Sequence, residues 1–229
     1  MKIVALIDGF NFYHPLNYHQ KTEKTCLQWL NYPALLSYYI AQTPSIAKGQ
    51  LEDVYFFTAL AHWRNLFSPN TTTRHLTYIN ALKHAGANVV LGNFKEKHKS
   101  YTHFCEKATS EQPCLIKQIS HEEKETDVRI ACKLLELAAL DAFDVCLLLS
   151  ADSDLVPAIE TLKILYPQKQ VVLVTPPSKA KIDKLKRLSL HHIRVGLKEL
   201  KRFQFPNRIE TIDGYSLVNP WQCTPFSMK

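Results

Sequence analysis

Residues 145–157, with the sequence VCLLLSADSDLVP, decide the fold class of this chain. The apolar run Val145–Leu149 is continuous, as in a parallel β-strand that is covered on both faces. Asp152 and Asp154 follow it, and either residue can cap the start of a helix. A buried strand that leads through polar residues into a helix is typical of an α/β protein with a parallel sheet.

Strand-like and helix-like segments alternate on both sides of this stretch. The predicted strands are Lys2–Ile7, Asp53–Ala59, Asn88–Asn93, Asp144–Ser150 and Gln170–Thr175. The predicted helices are one from about Tyr32, Thr71–His84, Glu122 to about Ala139, Leu155–Tyr166, and about Lys179 to Leu190. We therefore predict a three-layer α/β sandwich with a mostly parallel five-stranded sheet in the order 3-2-1-4-5.

The helix predicted from Glu122 carries two local signals. Ser120 followed by Glu123 resembles a capping box at its start. Apolar residues then recur at helical spacing and predict one buried stripe, formed by Val128, Ala131, Leu135 and Ala138.

The composition excludes several classes of protein. Hydrophobic residues make up 46% of the 229 residues, which is enough for a packed core and argues against a wholly disordered chain. The longest apolar runs fall well short of the roughly 20 residues that a membrane span needs. Asp8 interrupts the first apolar segment too early for a signal peptide. We therefore expect a cytoplasmic protein that has no membrane partner.

Positive charge is concentrated towards the end of the chain. The net charge is +7, and residues 179–208 contain ten Lys or Arg against two acids. A localised basic segment favours a polyanionic partner, although a solvated helix face followed by a basic tail explains the same charges. We assign residues 1–195 to one domain, with a Cys- and His-rich insertion at about 95–120. Residues 196–229 are predicted to form a basic, proline-containing tail packed on it.

Four aspartates are predicted to converge at one edge of the sheet. Asp8 directly follows the first strand, and Asp152 and Asp154 follow the fourth. In the predicted order these two strands are neighbours and the chain reverses direction between them, which is where open α/β sheets bind ligands. Asp127 lies in the first turn of the helix that leads into the fourth strand, so its carboxylate can point to the same edge.

Carboxylates in such a cluster repel one another and raise one another's pKa unless cations neutralise them. Carboxylate oxygens select hard ions such as Mg²⁺ or Mn²⁺, which activate water and stabilise charge on a phosphoryl group. The cluster therefore predicts metal-assisted hydrolysis of a phosphate ester. Taken singly, the aspartates have simpler explanations, as a turn residue (Asp8), helix caps (Asp152 and Asp154) or a partner of the helix dipole (Asp127).

Three segments resemble the motifs of one family. Residues 7–13 (IDGFNFY), 123–128 (EKETDV) and 149–157 (LSADSDLVP) are similar, in order and spacing, to motifs of NYN domains, in particular the LabA-like (DUF88) branch of the PIN-like nuclease superfamily. Ala151 stands where the third motif usually has Gly. The resemblance covers roughly residues 1–195. It implies a PIN-like, Rossmannoid fold and Mg²⁺- or Mn²⁺-dependent ribonuclease activity.

The resemblance also implies roles for individual residues. Asn11 would orient a water molecule or the scissile phosphate. Residues 175–177 (TPP) stand where some PIN-like nucleases carry a further acid, so a second metal ion is left open. The implied metal ligands and catalytic acids are Asp8, Asp127, Asp152 and Asp154.

Further side chains near the predicted edge are candidates for binding RNA. Basic residues after the fifth strand can follow a phosphate backbone, and aromatic residues can stack on bases. The serines have a simpler interpretation as turn or cap residues, and the tyrosine as a packing residue. The predicted substrate-binding residues are Ser150, Ser153, Tyr13, Lys124, Lys181, Lys184 and Arg187.

The insertion contains five residues of the types that bind zinc. Structural zinc sites usually take their ligands in two close pairs, and the spacing here does not form two such pairs. A loop that is rich in these residues without binding zinc is the favoured interpretation. The five residues are His98, His103, Cys105, Cys114 and His121.

The predicted function is that of a metal-dependent ribonuclease, with two alternatives from other classes. A non-catalytic RNA-binding protein on the same fold is supported by the basic segment and by the missing acid after the fifth strand. A glycosyltransferase that uses Asp152 and Asp154 as a DxD metal motif is disfavoured, because no sugar-acceptor signature accompanies the motif. Single-stranded DNA as the substrate and a homodimer are also left open.

Overall fold

The computed structural model describes residues 1–66, 68–103, 114–177 and 182–221. Lys181 and Cys105, which the sequence suggested as an RNA-binding residue and a zinc ligand, lie outside these ranges. The strands are β1 (Lys2–Asp8), β2 (Gln50–Thr58), β3 (Ala87–Leu91), β4 (Asn93–His103), β5 (Cys114–Lys124), β6 (Val145–Leu149), β7 (Gln170–Thr175), β8 (His191–Arg194), β9 (Arg208–Glu210) and β10 (Ser216–Val218). The helices are α1 (Gly9–Glu23), α2 (Tyr32–Gln42), α3 (Thr71–His84), α4 (Thr126–Ala139), α5 (Val156–Leu165), α6 (Asp183–Leu188) and α7 (Leu197–Arg202).

The central sheet confirms the predicted α/β architecture and extends it by one strand. Its six strands are all parallel and lie in the order β3-β2-β1-β6-β7-β8. The first five correspond to the predicted order 3-2-1-4-5. The prediction of five strands was wrong because β8 carries no apolar signal: its sequence is HHIR, and only Ile193 is buried. Pairing with β7, in which His191 lies opposite Val172, makes this segment a strand.

Helices cover both faces of the sheet and give it three layers. Along β1, Ile3, Ala5 and Ile7 belong to one apolar cluster, whereas Val4 and Leu6 belong to a second cluster on the opposite face. The first cluster takes its helical residues from α1, α2, α3 and α7, and the second from α4, α5 and α6. The strand is thus buried on both sides, as its unbroken apolar sequence predicts.

An antiparallel hairpin replaces most of the irregular insertion expected at 95–120. β4 and β5 pair over their whole length, from Asn93 opposite Lys124 to His103 opposite Cys114. The capping box predicted from Ser120 and Glu123 is therefore wrong, because the backbone of both residues pairs with β4 instead of starting a helix.

Helix α4 begins four residues later than predicted and buries the predicted stripe only in part. It starts at Thr126, after Glu125, which has a left-handed conformation with a φ of 77°. The predicted stripe is confirmed in part: Ala138 is buried, and Ala131 and Leu135 pack against the second apolar cluster, but Val128 is exposed. Ile130 and Leu134 are the buried residues that the prediction left out.

Helix α1 was missed in the sequence because it has little amphipathic pattern and contains Pro15. Its formation depends on tertiary packing, in which Phe12 and Leu16 are buried in the first apolar cluster. Gly9 opens the helix where α1 meets β2. A Cβ atom at Gly9 would lie 2.7 Å from both the Phe56 ring and the backbone oxygen of Phe57, so the close approach requires glycine.

Replacing Gly9 by Ala is expected to destabilise the protein by about 1–3 kcal/mol, because a backbone oxygen cannot move aside to relieve the clash. Gly196→Ala is the matched control. Its Cβ atom would meet only the carboxylate end of Glu199, a flexible side chain. Urea denaturation of both variants measures the difference, and equal stabilities would contradict the packing described for Gly9.

Segments after residue 195 contribute to the same core. Leu200, Phe205, Ile209 and Leu217 are members of the first apolar cluster. The Trp29 indole Nε1 donates to the backbone oxygen of Pro206 at 2.8 Å. The division into a domain of 1–195 and a tail of 196–229 stays a prediction. None of the helices in the described ranges is both long and apolar enough to cross a membrane.

Candidate functional site

The carboxyl ends of β1 and β6 place the first acidic residue of the site. The two strands are adjacent and parallel, with Ile7 opposite Leu149, so Asp8 and Ser150 emerge together at one edge. Asp8 is buried and its two carboxylate oxygens have separate partners. Oδ1 accepts from the Asn11 backbone N–H at 3.0 Å, which caps α1, and Oδ2 accepts from Ser150 Oγ at 3.1 Å.

The loop after β6 is held by a short chain of hydrogen bonds. Ser150 Oγ also accepts from the Asp152 backbone N–H at 3.1 Å, and Asp152 Oδ1 accepts from the Asp154 backbone N–H at 2.9 Å. Asn11 Oδ1 accepts from the Ala151 backbone N–H at 2.9 Å. This last bond ties α1 to the loop, so Asn11 fixes the acidic loop in position.

A fifth carboxylate, Glu123, joins the cluster. It lies at the end of β5, and its Oε1 accepts from the hydroxyl of Thr126 at the start of α4. Its pKa is raised to about 7 by burial first, and then by the charges of Asp8 and Asp127. Glu123 was predicted to belong to a helix-capping box and not to this acidic edge, because its place at the end of β5 has no signal in the local sequence.

The electrostatics of the aspartates show that the sequence-predicted acids come together. Burial raises the pKa of Asp8 to about 6, and the charges of Asp127 and Asp152 add to that rise. Burial, together with the charges of Asp152 and Asp154, also raises the pKa of Asp127. The four aspartates are therefore linked electrostatically, Asp8 with Asp127 and Asp152, and Asp127 with Asp152 and Asp154.

The raised pKa of Asp8 predicts a specific pH dependence of stability. An acid whose pKa is higher in the folded state destabilises the fold as the pH rises from its unfolded value of 3.8 to its folded value of about 6. Between about pH 5 and about pH 7, metal-free wild type should lose about 1–2 kcal/mol more unfolding free energy than Asp8→Asn does. Urea denaturation in EDTA measures this, and parallel pH profiles for the two proteins would contradict it.

The donor set of this edge fits a divalent cation. Carboxylate oxygens are the ligands that Mg²⁺ and Mn²⁺ prefer, and Mg²⁺ keeps several waters, so one or two direct carboxylates suffice. Burial and mutual repulsion disfavour the ionised carboxylates, and a bound cation would offset both effects. Within the described ranges, however, no three carboxylate, imidazole or thiol side chains are already arranged to hold one ion.

The described residues that were predicted to bind substrate have different contacts. Ser153 is exposed in the 3₁₀ turn after the acidic loop, and Arg187 is exposed on α6. Lys184 Nζ pairs with Glu160 at 3.0 Å, and Lys124 Nζ pairs with Glu122 at 3.1 Å. Tyr13 lines a cavity next to the acids.

Two histidines of the hairpin lie beside Glu96. His98 Nε2 lies 3.0 Å from Glu96 Oε1, and His121 Nε2 lies 3.6 Å from Glu96 Oε2. His121 also stacks on Trp63, with ring centroids 4.2 Å apart. Cys105 and the side chains of His103 and Cys114 lie outside the description, so the interpretation against a structural zinc stays a prediction.

Comparison with known proteins gives a family and a fold. The family model described as NYN domain matches residues 2–194, which confirms the NYN resemblance; the LabA-like branch stays a prediction. The fold is similar to the crystal structure of a Vibrio parahaemolyticus protein of unknown function, with a TM-score of 0.51 and 15% sequence identity. That likeness covers 86% of this chain and 93% of the other, and at such identity it shows the fold alone. A search of curated proteins gave no match.

Proposed function

The chain belongs to the NYN domain family, and from this premise we propose that it is a divalent-metal-dependent ribonuclease of the PIN-like type. The observation that carries the proposal is Asp8, a buried acid at a strand end whose pKa is raised partly by two other acids of the cluster. Asp8, Asp127, Asp152 and Asp154 would hold Mg²⁺ or Mn²⁺. When bound, such an ion activates water and neutralises charge that develops on a phosphodiester.

The other residues of the edge keep the acids in position. Asn11 and Ser150 each join two segments of the site, so the carboxylates do not have to be ordered when the substrate arrives. Such preorganisation lowers the free energy that the protein spends on rearrangement during the reaction. Asn11, which is hydrogen-bonded to the acidic loop at Ala151, has the proposed role of orienting a water molecule or the scissile phosphate.

Basic side chains near the same edge would bind the RNA backbone. α6 follows β7, whose carboxyl end lies beside that of β6. Lys184, Lys186 and Arg187 are exposed on this helix. Their positive charges are accessible to the phosphates of an RNA strand. Binding that depends on such contacts falls steeply as the salt concentration rises.

The proposal is tested by cleavage of a labelled, mixed-sequence single-stranded RNA in Mn²⁺, Mg²⁺ and EDTA, beside a DNA strand of the same sequence. The expected result is cleavage of RNA in Mn²⁺ or Mg²⁺ and none in EDTA. The products should carry 5′-phosphate ends. Those ends form when water, and not the 2′-hydroxyl, attacks the phosphorus and the bond to the 3′-oxygen breaks, which leaves a 3′-hydroxyl on the other product. Cleavage in EDTA, or products with 2′,3′-cyclic phosphates, would contradict the proposal.

A non-catalytic RNA-binding protein is the second candidate, and one observation favours it. At the end of β7, Thr175 Oγ1 hydrogen-bonds His192 Nε2 at 2.9 Å, where a further acid would otherwise strengthen the metal site. The two candidates differ in the cleavage assay. Tight RNA binding that is unchanged by Asp152→Asn, without cleavage in Mn²⁺, would support this second function.

A further inference from the structure

A cavity of about 380 Å³ opens directly beside the acidic cluster. Gly9 and Glu123 form part of its wall, so the cavity and the cluster share a boundary. Its volume falls within the range of roughly 300–1,000 Å³ that is typical of pockets for small organic ligands. Among the described residues that were predicted to bind RNA, Tyr13 lines this space.

Aromatic rings make up much of the cavity wall. The Phe94 ring meets Phe10 edge-on, with centroids 5.7 Å apart, and meets Trp63 in the same way at 6.3 Å. The Trp63 and His121 rings, which both line the cavity, stack face to face within 9° of parallel. The aromatic residues of the lining are Phe10, Tyr13, Tyr32, Phe56, Trp63, Tyr78, Phe94 and Trp221.

Two arginines add positive charge to this apolar space. The Arg64 guanidinium lies 5.2 Å from the centroid of the Trp63 ring. Arg74 Nη2 contacts the hydroxyls of Ser68 at 3.3 Å and Thr71 at 3.2 Å, which do not neutralise its charge. Guanidinium groups recognise phosphate oxygens in a planar, bidentate geometry.

A neutral imidazole supplies a further polar group. His75 lines the cavity, and its Nε2 hydrogen-bonds Thr58 Oγ1 at 3.2 Å. Burial lowers the pKa of His75 to about 4, so the ring is uncharged at neutral pH. A neutral imidazole can donate or accept a hydrogen bond at the edge of an uncharged heterocycle.

We propose that this cavity binds one unpaired nucleobase of a polynucleotide strand, with Arg64 and Arg74 against the adjoining phosphates and the strand continuing to the acidic cluster. Aromatic walls, a neutral imidazole and two guanidinium groups match a flat heterocycle joined to phosphates. A paired and stacked base cannot enter such a cavity, so the site selects single strands. The inference rests on the proposed function, because the strand held in the cavity is taken to be the substrate of the acidic cluster. Glu123 belongs to both the cavity and the cluster.

Binding of labelled RNA to the full chain tests the inference without cleavage. Fluorescence anisotropy in Mg²⁺, in an Asp152→Asn background, compares a single strand with the same length of abasic ribose backbone. The intact strand is expected to bind about 10-fold more tightly than the abasic one. Adding Trp63→Ala should remove most of this preference and leave the affinity for the abasic strand unchanged. Arg74→Gln should weaken the binding of both strands.

Matched variants separate a specific loss from misfolding. Tyr215→Leu changes a half-exposed aromatic residue outside the cavity and should retain the preference. If Trp63→Ala loses its native far-UV circular dichroism, Tyr13→Leu takes its place. A preference that survives in the folded cavity variant, or no preference in the parent protein, would overturn the inference.

Two further outcomes distinguish this inference from its premise. Base-dependent binding by a protein that never cleaves RNA would support the cavity and contradict the ribonuclease. Cleavage without base-dependent binding would support the ribonuclease and contradict the assignment of the cavity. Competition by a nucleoside monophosphate at the same concentration as the strand would overturn the assignment to a polynucleotide, because a free nucleotide would then be the better ligand.

Discussion

Replacing Asp8 by Asn is expected to lower the rate of RNA cleavage in Mn²⁺ by at least about 100-fold. The amide has nearly the same shape but lacks the negative charge that a cation requires. Asn can also keep one oxygen acceptor for the Asn11 N–H, so the start of α1 is preserved. Single-turnover kinetics at saturating protein measure the change independently of RNA affinity.

Asp213→Asn is the matched control, because it makes the same chemical change in an exposed turn between β9 and β10. It should cleave at the wild-type rate. An Asp8→Asn protein that is folded, binds RNA and cleaves within a few-fold of wild type would contradict the assignment of this carboxylate.

Ser150→Ala has the second largest expected effect on the rate of RNA cleavage. Ser150 is not an acid and is completely buried, so it acts through its neighbours. Its hydroxyl donates to Asp8 and accepts from the Asp152 backbone N–H, so alanine removes both bonds at once. We expect cleavage to fall by about 10- to 100-fold, as for other residues that orient metal ligands. The free energy of unfolding should fall by about 1–3 kcal/mol, because a buried N–H loses its partner.

The pH profile identifies the positioning role of Ser150. Its hydrogen bond lowers the pKa of Asp8 and partly offsets the effect of burial. Without the bond, the pKa of Asp8 rises further, so the acidic limb of the rate profile should move to higher pH. Ser37→Ala, which changes an exposed serine of α2 outside the site, should leave the profile unchanged. An unchanged profile for Ser150→Ala would mean that this serine only packs.

The acidic edge could be predicted from the sequence because each aspartate is tied to the end of an element. Asp8 and Asp152 follow continuous apolar strands, and the order of parallel strands in an α/β sheet then brings those ends together. The apolar pattern locates such strands well, since burial on both faces leaves an unbroken run. The convergence of Asp8, Asp127, Asp152 and Asp154 therefore required no knowledge of side-chain contacts.

Elements that are stabilised by partners distant in sequence could not be predicted in this way. The strand β5 pairs with β4 across residues that look polar and irregular, and the helix signal at 120–123 was local and misleading. Helix α1 has no clear apolar stripe and is held by the burial of Phe12 and Leu16. The position of Glu123 depends on where β5 ends and α4 begins. The local sequence pattern misplaced both boundaries, so Glu123 was not predicted at the site.

Titration of the metal-free protein with Mn²⁺, monitored by isothermal calorimetry, tests the central claim most directly. The pH should be about 8, above the raised pKa values of Asp8, about 6, and Glu123, about 7. The claim is that the carboxylates at the ends of β1 and β6 form one site for a divalent cation. Wild type is predicted to bind Mn²⁺, and Asp8→Asn to bind it at least about 10-fold more weakly. Equal affinities in the two proteins, or no binding by wild type at millimolar Mn²⁺, would contradict the claim.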